Sequence, residues 1–327
     1  TVTTISFASA VTAPTITIAP QGTASGAANK NYRYMATSVD STGKESLGGA
    51  IVDSGSINAL STTYGIRVTI TTTGAEFYNI YKELSYASGV FGWIGEATTL
   101  LFDDYNLGPD MSVTPPISNV AFNATDEYPA TGAFHQERRV FAGSNNQPHT
   151  LQLSRTAQYS NMQYSRPLRD DDAFGKTLNS RRLNRIRHLI SQKKGLLVFT
   201  SGGEWAAAGS NVTLTPSDFD WEQQGRRGIS KVEPLMVGES ILFIQARGTR
   251  VRDLNFRWED QTYAGDDLTI LARHLFEKYE VADWAYQEEP HSVAWVVRTD
   301  GKLLSLTYLR EHRIFAWCQH DLGGLVR

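Results

Sequence analysis

The chain has 327 residues, 41% hydrophobic and 20% charged, with a formal net charge of −3. That length makes two domains the first expectation, and the near-neutral balance excludes a globally basic protein built to coat a polyanion. No run of about 18 apolar residues occurs, so no transmembrane helix is expected, and the single Cys318 excludes an internal disulfide.

Residues 1–23 carry no charge. Thr15-Ile16-Thr17-Ile18 alternates between Pro14 and Pro20, an extended segment that could lend a strand to the blades read further on. Residues 24–116 form a second block. Tyr32–Thr37 alternates and is followed by a turn at Asp40–Gly43. Ile66–Thr71, Phe77–Tyr81 and Phe91–Gly95 read as further strands. Turns at such short intervals predict a β-sandwich. Thr114-Pro115-Pro116 is its stiff extended exit.

From 117 to 327 the chain reads as four hairpin-like units. Arg139–Phe141 pairs with Leu151–Leu153, and Leu196–Phe199 turns at Gly202-Gly203 into Trp205. Ile241–Ile244 turns near Gly248 into Val251–Leu254. In the last unit Val293–Arg298 and Leu303–Tyr308 flank Asp300-Gly301, and Ile314–Trp317 follows. Asp-Gly between β-prone runs signals a hairpin, because both turn residues tolerate positive φ. The turns recur every ~50 residues, the period of propeller blades. Val293, Trp295 and Val297 alternate with Ala294 and Val296, so these strands are apolar on both faces, as in a sheet packed between two others. Asp266–Phe276 is the one predicted helix, with an Asp N-cap and Leu268, Leu271 and Leu275 on one face. Cys318, in an alternating strand, is expected to be buried and inert.

The fold class is therefore all-β: a partial or irregular propeller with a sandwich and one short helix. The chain starts at Thr1 without Met and stops soon after a strand. It reads as a trimmed fragment whose propeller lacks blades.

No metal, cofactor or catalytic constellation emerges. The seven histidines are scattered, without HExxH or Cys-His spacing. Asp170-Asp171-Asp172 lacks the alternation of a calcium loop. The one concentrated charge is Arg181–Lys194, with six cations in 14 residues and no acid. Arg181, Arg182, Arg185 and Arg187 are read as an intersubunit surface, with Asp170, Asp171 and Asp172 of a neighbour as partners. DNA lining is the rival reading of the same tract, though it lacks interleaved aromatics for base stacking.

Two resemblances rest on particular stretches. Tyr32–Ser46, Ala75–Lys82, Gly89–Gly95 and Phe102–Asp104 resemble fibronectin type III strands in permuted order. Asp267–Phe276, Ala285–Gln287, Trp295–Gly301, Leu306–Glu311 and Phe315–Trp317 resemble the tail nozzle and stabilisation proteins of short-tailed bacteriophages. The resemblance implies a propeller carrying an inserted sandwich. It also implies a non-enzymatic virion tail protein, in a homo-oligomeric, hexameric ring around the DNA-exit channel. Its partners would be other tail or portal-adaptor proteins, with double-stranded DNA passing through without specific binding. The alternative is a carbohydrate-binding or carbohydrate-degrading protein. That reading needs carboxylates in a cleft lined by exposed tryptophan, for which Trp205, Trp221 and Trp258 are the candidates.

Overall fold

The computed structural model describes residues 11–26, 29–71, 74–117, 122, 124–180, 184–210, 213–259 and 262–326. Among these, 23 strands form one three-stranded and five four-stranded antiparallel sheets, an all-β, propeller-like architecture.

The first two sheets make a sandwich. One holds β1 (Ile16–Gly22), β4 (Tyr64–Ile70) and β7 (Leu101–Asp104), in the order β1-β4-β7. The other holds β2 (Arg33–Val39), β3 (Val52–Asp53), β5 (Phe77–Glu83) and β6 (Phe91–Ala97), in the order β3-β2-β5-β6. In β4, Ile66, Val68 and Ile70 alternate with Arg67 and Thr69, so the period-2 pleat turns all three inward. They meet Tyr34, Ala36 and Ile80 of the opposite sheet. Each such buried side chain contributes about 1.5–3 kcal/mol relative to exposure. The described part of the extended N-terminal segment does not serve a blade. Its described strand, Ile16–Gly22, pairs in full register with Tyr64–Ile70 of the sandwich, where Ile16 joins the core. Residues 1–10 lie outside the described residues.

Four up-and-down blades follow. Blade 1 is β8 (Thr131–His135), β9 (Arg138–Ala142), β10 (Thr150–Leu153) and β11 (Phe174–Thr177). Blade 2 is β12 (Ile186–Gln192), β13 (Gly195–Thr200), β14 (Glu204–Ala208) and β15 (Asp220–Gly225). Blade 3 is β16 (Leu235–Val237), β17 (Ser240–Ile244), β18 (Val251–Arg257) and β19 (Thr262–Ala264). Blade 4 is β20 (Val281–Gln287), β21 (Val293–Arg298), β22 (Leu303–Leu309) and β23 (Ile314–His320).

Alternation then builds the seams between blades. Leu196 and Val198 of β13 face Val140 and Leu153 of blade 1. Their neighbours Leu197 and Phe199 face Ile241 and Phe243 of blade 3, with the two phenyl rings 5.7 Å apart. Leu242 and Ile244 in turn face Val296 and Leu304 of blade 4. Blades 2 and 3 thus carry the two-sided burial that their unbroken apolar strands suggest.

Blade 4 differs. Ala294 and Val296 are fully buried against blade 3, whereas Val293, Trp295 and Val297 are only half-buried. Cross-strand rows Ala285–Trp295–Ser305–Cys318 and Asp283–Val297–Leu303–His320 share the face turned away from blade 3. Cys318 sits there on the outermost strand and is exposed, not buried as expected. The opposite end of the array is covered: Phe141 of blade 1 is buried, with Phe122 packed 5.2 Å from its ring.

Two local readings change. The hairpin turn at Asp300-Gly301 closes with Gly301 N–H donating to the Arg298 carbonyl at 2.9 Å. Within it Gly301 takes positive φ (+79°), and Asp300 does not. The expected helix over 266–276 shrinks to one 3₁₀ turn, Arg273–Leu275. Before it, Asp267 bridges Arg252 and Leu268 N–H donates to the Val251 carbonyl at 3.0 Å. Pairing with blade 3 overrides the helical period. Leu268 is buried while Leu271 is 92% exposed, so the presumed common face does not exist.

Candidate functional site

In a four-stranded meander the first and third turns leave from the same end of the sheet. The turns after β12, β16, β18, β20 and β22 therefore gather at one end of blades 2 to 4. Together they line an open cleft of about 1190 Å³. Each turn brings its own chemistry: Lys193 and Lys194, then Glu239, Trp258, Glu288, and last Arg310 and Glu311.

Trp258 is the dominant surface, 67% exposed despite its size. Phe256 meets it edge-on at 5.4 Å and 89°, and Tyr263 braces Phe256 at 5.3 Å. Lys194 Nζ lies 4.5 Å from the indole centroid and 5.3 Å from the Phe256 ring, cation–π geometry that fixes the β12–β13 turn to the β18–β19 turn.

The floor is buried and polar. Ser240, Asn255 and Tyr308 line it, and each is under a tenth exposed. Beneath them lies Asp253. It accepts from Tyr308 Oη at 3.3 Å and Asn255 Nδ2 at 3.2 Å, and the Asp266 N–H also donates to it. Burial pushes the Asp253 carboxyl above the usual carboxylate range, opposed by the Asp266 N–H and the Arg310 charge. Arg310 Nη1 reaches Ser240 Oγ at 3.2 Å and Asp253 Oδ2 at 4.0 Å, tying blade 4 to blade 3. Such satisfied buried polar groups rigidify a floor.

Of the tryptophans singled out in the sequence, Trp258 alone lines this cleft. Trp205 is buried in the seam between blades 1 and 2, and Trp221 packs against the same core.

Among the described residues, the basic tract and the acidic triplet are not brought together in the chain. Asp172 is buried and accepts from Ser165 N at 2.8 Å, Arg169 N at 3.0 Å and Ser165 Oγ. Asp171 pairs with Arg155 at 2.5 Å, and Asp170 accepts from Ser217 Oγ at 2.6 Å. Asp172 is therefore withdrawn from the proposed intersubunit contact, because a residue 2% exposed cannot reach a neighbour. Arg185 donates to the Gly143 carbonyl at 3.0 Å and Arg187 to the Ile229 carbonyl at 2.5 Å. These two arginines staple blade 2 to blade 1 and to the start of blade 3. Arg181 and Arg182 lie outside the described residues.

Among the described residues, Ser191 Oγ meets His135 Nδ1 and Ser305 Oγ meets His320 Nε2, each at 2.8 Å. Among the described residues, no group of three or more His, Cys, Asp and Glu is placed to hold a metal.

No protein-family model matches the chain, and no curated protein matches it. Among solved structures it is similar to a protein from Lactobacillus plantarum, with a TM-score of 0.38 and 10% identity, over 89% of this chain and 82% of that one. So loose a likeness says nothing about function.

Proposed function

We propose that the chain is a structural subunit of a short phage tail, packed side by side with copies of itself in a ring around the path of the DNA. The observation that carries this reading is the outer face of blade 4. Val293, Trp295, Val297 and Leu303 form a half-exposed apolar sheet surface with no blade against it among the described residues. Contiguous apolar surface of this kind marks protein contacts. The blades agree with the propeller that the tail-nozzle resemblance implies, although among the described residues the sandwich precedes the blades and is not inserted between their strands; a ring of six copies is part of the same implication.

A conduit needs rigid subunits and a lumen that does not retain DNA. A net charge of −3 fits weak phosphate affinity. Arg181, Arg182, Arg185 and Arg187 are proposed to support lateral contacts, with exposed Asp170 and Asp171 of the neighbour as counter-charges. Single exposed pairs contribute about 0–1 kcal/mol, so register rather than strength would be their role.

The test is the particle. Mass measurement on the purified protein and labelled microscopy of virions should show closed rings and label at the tail. A protein that stays monomeric at high concentration, or label away from the tail, sinks the reading. Reversing Arg181 and Arg182 to Glu, with the Arg185 and Arg187 staples left in place, should weaken assembly; rings left intact would remove the tract from the interface.

A further inference from the structure

The geometry points to the cleft at the turn end of blades 2 to 4 as a binding site for an oligosaccharide, one ring stacked on Trp258. This goes beyond the ring-forming role and does not depend on it.

Three observations carry it. First, the exposed indole is held, not loose. Phe256 and Tyr263 buttress it in series at 5.4 and 5.3 Å, and Lys194 is seated over it at 4.5 Å. A large aromatic surface that stays 67% exposed on so firm a mount suits the flat face of a ring-shaped ligand.

Second, the charges around it cancel. Lys193, Lys194 and Arg310 stand against Glu239, Glu288 and Glu311. A nucleic acid strand would gain from the cations but meet three carboxylates, which opposes phosphate binding. An apolar peptide would have to strip water from six charged groups. Hydroxyl groups both donate and accept, so they satisfy carboxylates and ammonium groups in the same cleft. Ligand chemistry rich in hydroxyls and without net charge fits best.

Third, the floor is preorganised. Ser240, Asn255 and Tyr308 are buried over Asp253, with Arg310 clamped across two blades at 3.2 Å from Ser240. The cleft draws on five turns of three blades. Its volume of about 1190 Å³ exceeds the range of ordinary small-ligand pockets, as an oligomer requires.

Isothermal titration calorimetry tests this with four uncharged probes: cellohexaose, chitohexaose, maltohexaose and xylohexaose. A dT12 oligonucleotide serves as the competitor class. At least one saccharide should bind saturably. Trp258→Ala should weaken that binding about tenfold, the effect of removing one stacked ring. Trp258→Phe, which keeps an aromatic face, should recover part of it. Trp258 is a turn residue on the surface, so circular dichroism should show both variants folded, with at most a small loss of melting temperature from the lost Lys194 and Phe256 contacts. Absence of binding by all four saccharides overturns the proposal. So does equal affinity in wild type and Trp258→Ala. Trp258-dependent binding of dT12 without saccharide binding reassigns the cleft to nucleic acid and overturns it as well. A monomeric protein that still binds saccharide would refute the ring and leave this inference standing.

Discussion

At Asp104 the sandwich buries a charge and surrounds it with partners. Lys82 Nζ lies 2.8 Å from its carboxylate, Tyr34 Oη donates at 2.7 Å and Leu107 N at 2.6 Å. Lys82 also donates to the Leu107 carbonyl at 3.0 Å and sits over the Tyr32 ring. Burial, and then the Asp104 charge, push the Tyr34 phenol far above its ordinary range, so it stays a neutral donor. Lys82→Met removes the cation beside the buried Asp104 carboxyl, and should cost the sandwich about 3–5 kcal/mol. Lys82→Met/Asp104→Leu should regain most of that loss. Urea unfolding of the four proteins in the cycle measures it, and additive single losses would show that the pair does not act as a unit. A second residue-scale effect concerns pH. His135 is buried and His188 half-buried, each with a buried Nε2 that has no hydrogen-bond partner, and desolvation lowers the pKa of both imidazoles. Unfolded imidazoles titrate near 6.5. The neutral histidines therefore contribute stability in full above about pH 6.5, lost as pH falls towards the depressed folded values. The buried carboxyls Glu204 and Asp253, pushed up by burial, act in the opposite sense. Comparison with His135→Gln/His188→Gln isolates the histidine part. Wild type should lose more melting temperature than the variant between about pH 7.5 and about pH 5. Parallel pH profiles would refute this.

Among the elements, β18 and β19 show what the sequence reveals and what it hides. Val251–Leu254 was legible as a strand because a turn near Gly248 links it to the apolar run Ile241–Ile244. The paired strand Thr262–Ala264 was not, since three residues carry no period. It exists because Asn255, Phe256 and Arg257 pair with it in register. Gly265 ends that strand where the backbones close. A Cβ there would fall 1.7 Å from the Asp253 carbonyl oxygen. Gly265→Ala must push the two strands apart, and should destabilise this edge by about 1–3 kcal/mol. Hydrogen exchange should show lost protection at Thr262–Ala264, with blade 1 unaffected. Unchanged protection would mean the backbone absorbs the methyl by a small shift. The misread helix next to it has the same lesson. Leu268, Leu271 and Leu275 have helical spacing, yet the bridge from Asp267 to Arg252 claims the first turn for blade 3. The cleft was almost illegible, because its residues come from five turns spread from 192 to 312. Trp258 was one of three tryptophans the sequence offered for a cleft, beside Trp205 and Trp221, and nothing in the sequence linked it to Lys194 or Arg310.

Across the whole molecule, the two ends of the blade array are unlike. Repeat arrays need terminal units with a protected outer face. At blade 1 the outer face is screened: Phe141 is 5% exposed, under Phe122 and the Arg139 guanidinium. At blade 4 the row through Trp295 and the row through Val297 are half-exposed. Trp295 is fixed there by its Nε1–H donating to Gln287 Oε1 at 2.7 Å, with His320 5.2 Å from its ring. The internal seams show what such a surface packs with: Leu242 and Ile244 occupy the corresponding side of blade 3 and are covered by blade 4. An apolar row in the same repeat position, with no blade against it among the described residues, should associate. Contact between this face and a different face of the next copy closes a ring only if the rotation per step is right, and otherwise gives open polymers. Trp295→Glu and Val297→Lys each place a charge on the face without touching the core row of Ala294 and Val296. Sedimentation velocity across a concentration series should show wild type associating and both variants monomeric, with melting temperature nearly unchanged. Association that persists in both variants would place the contact elsewhere on the molecule, and a large loss of melting temperature would mean that the face already supports blade 4 itself.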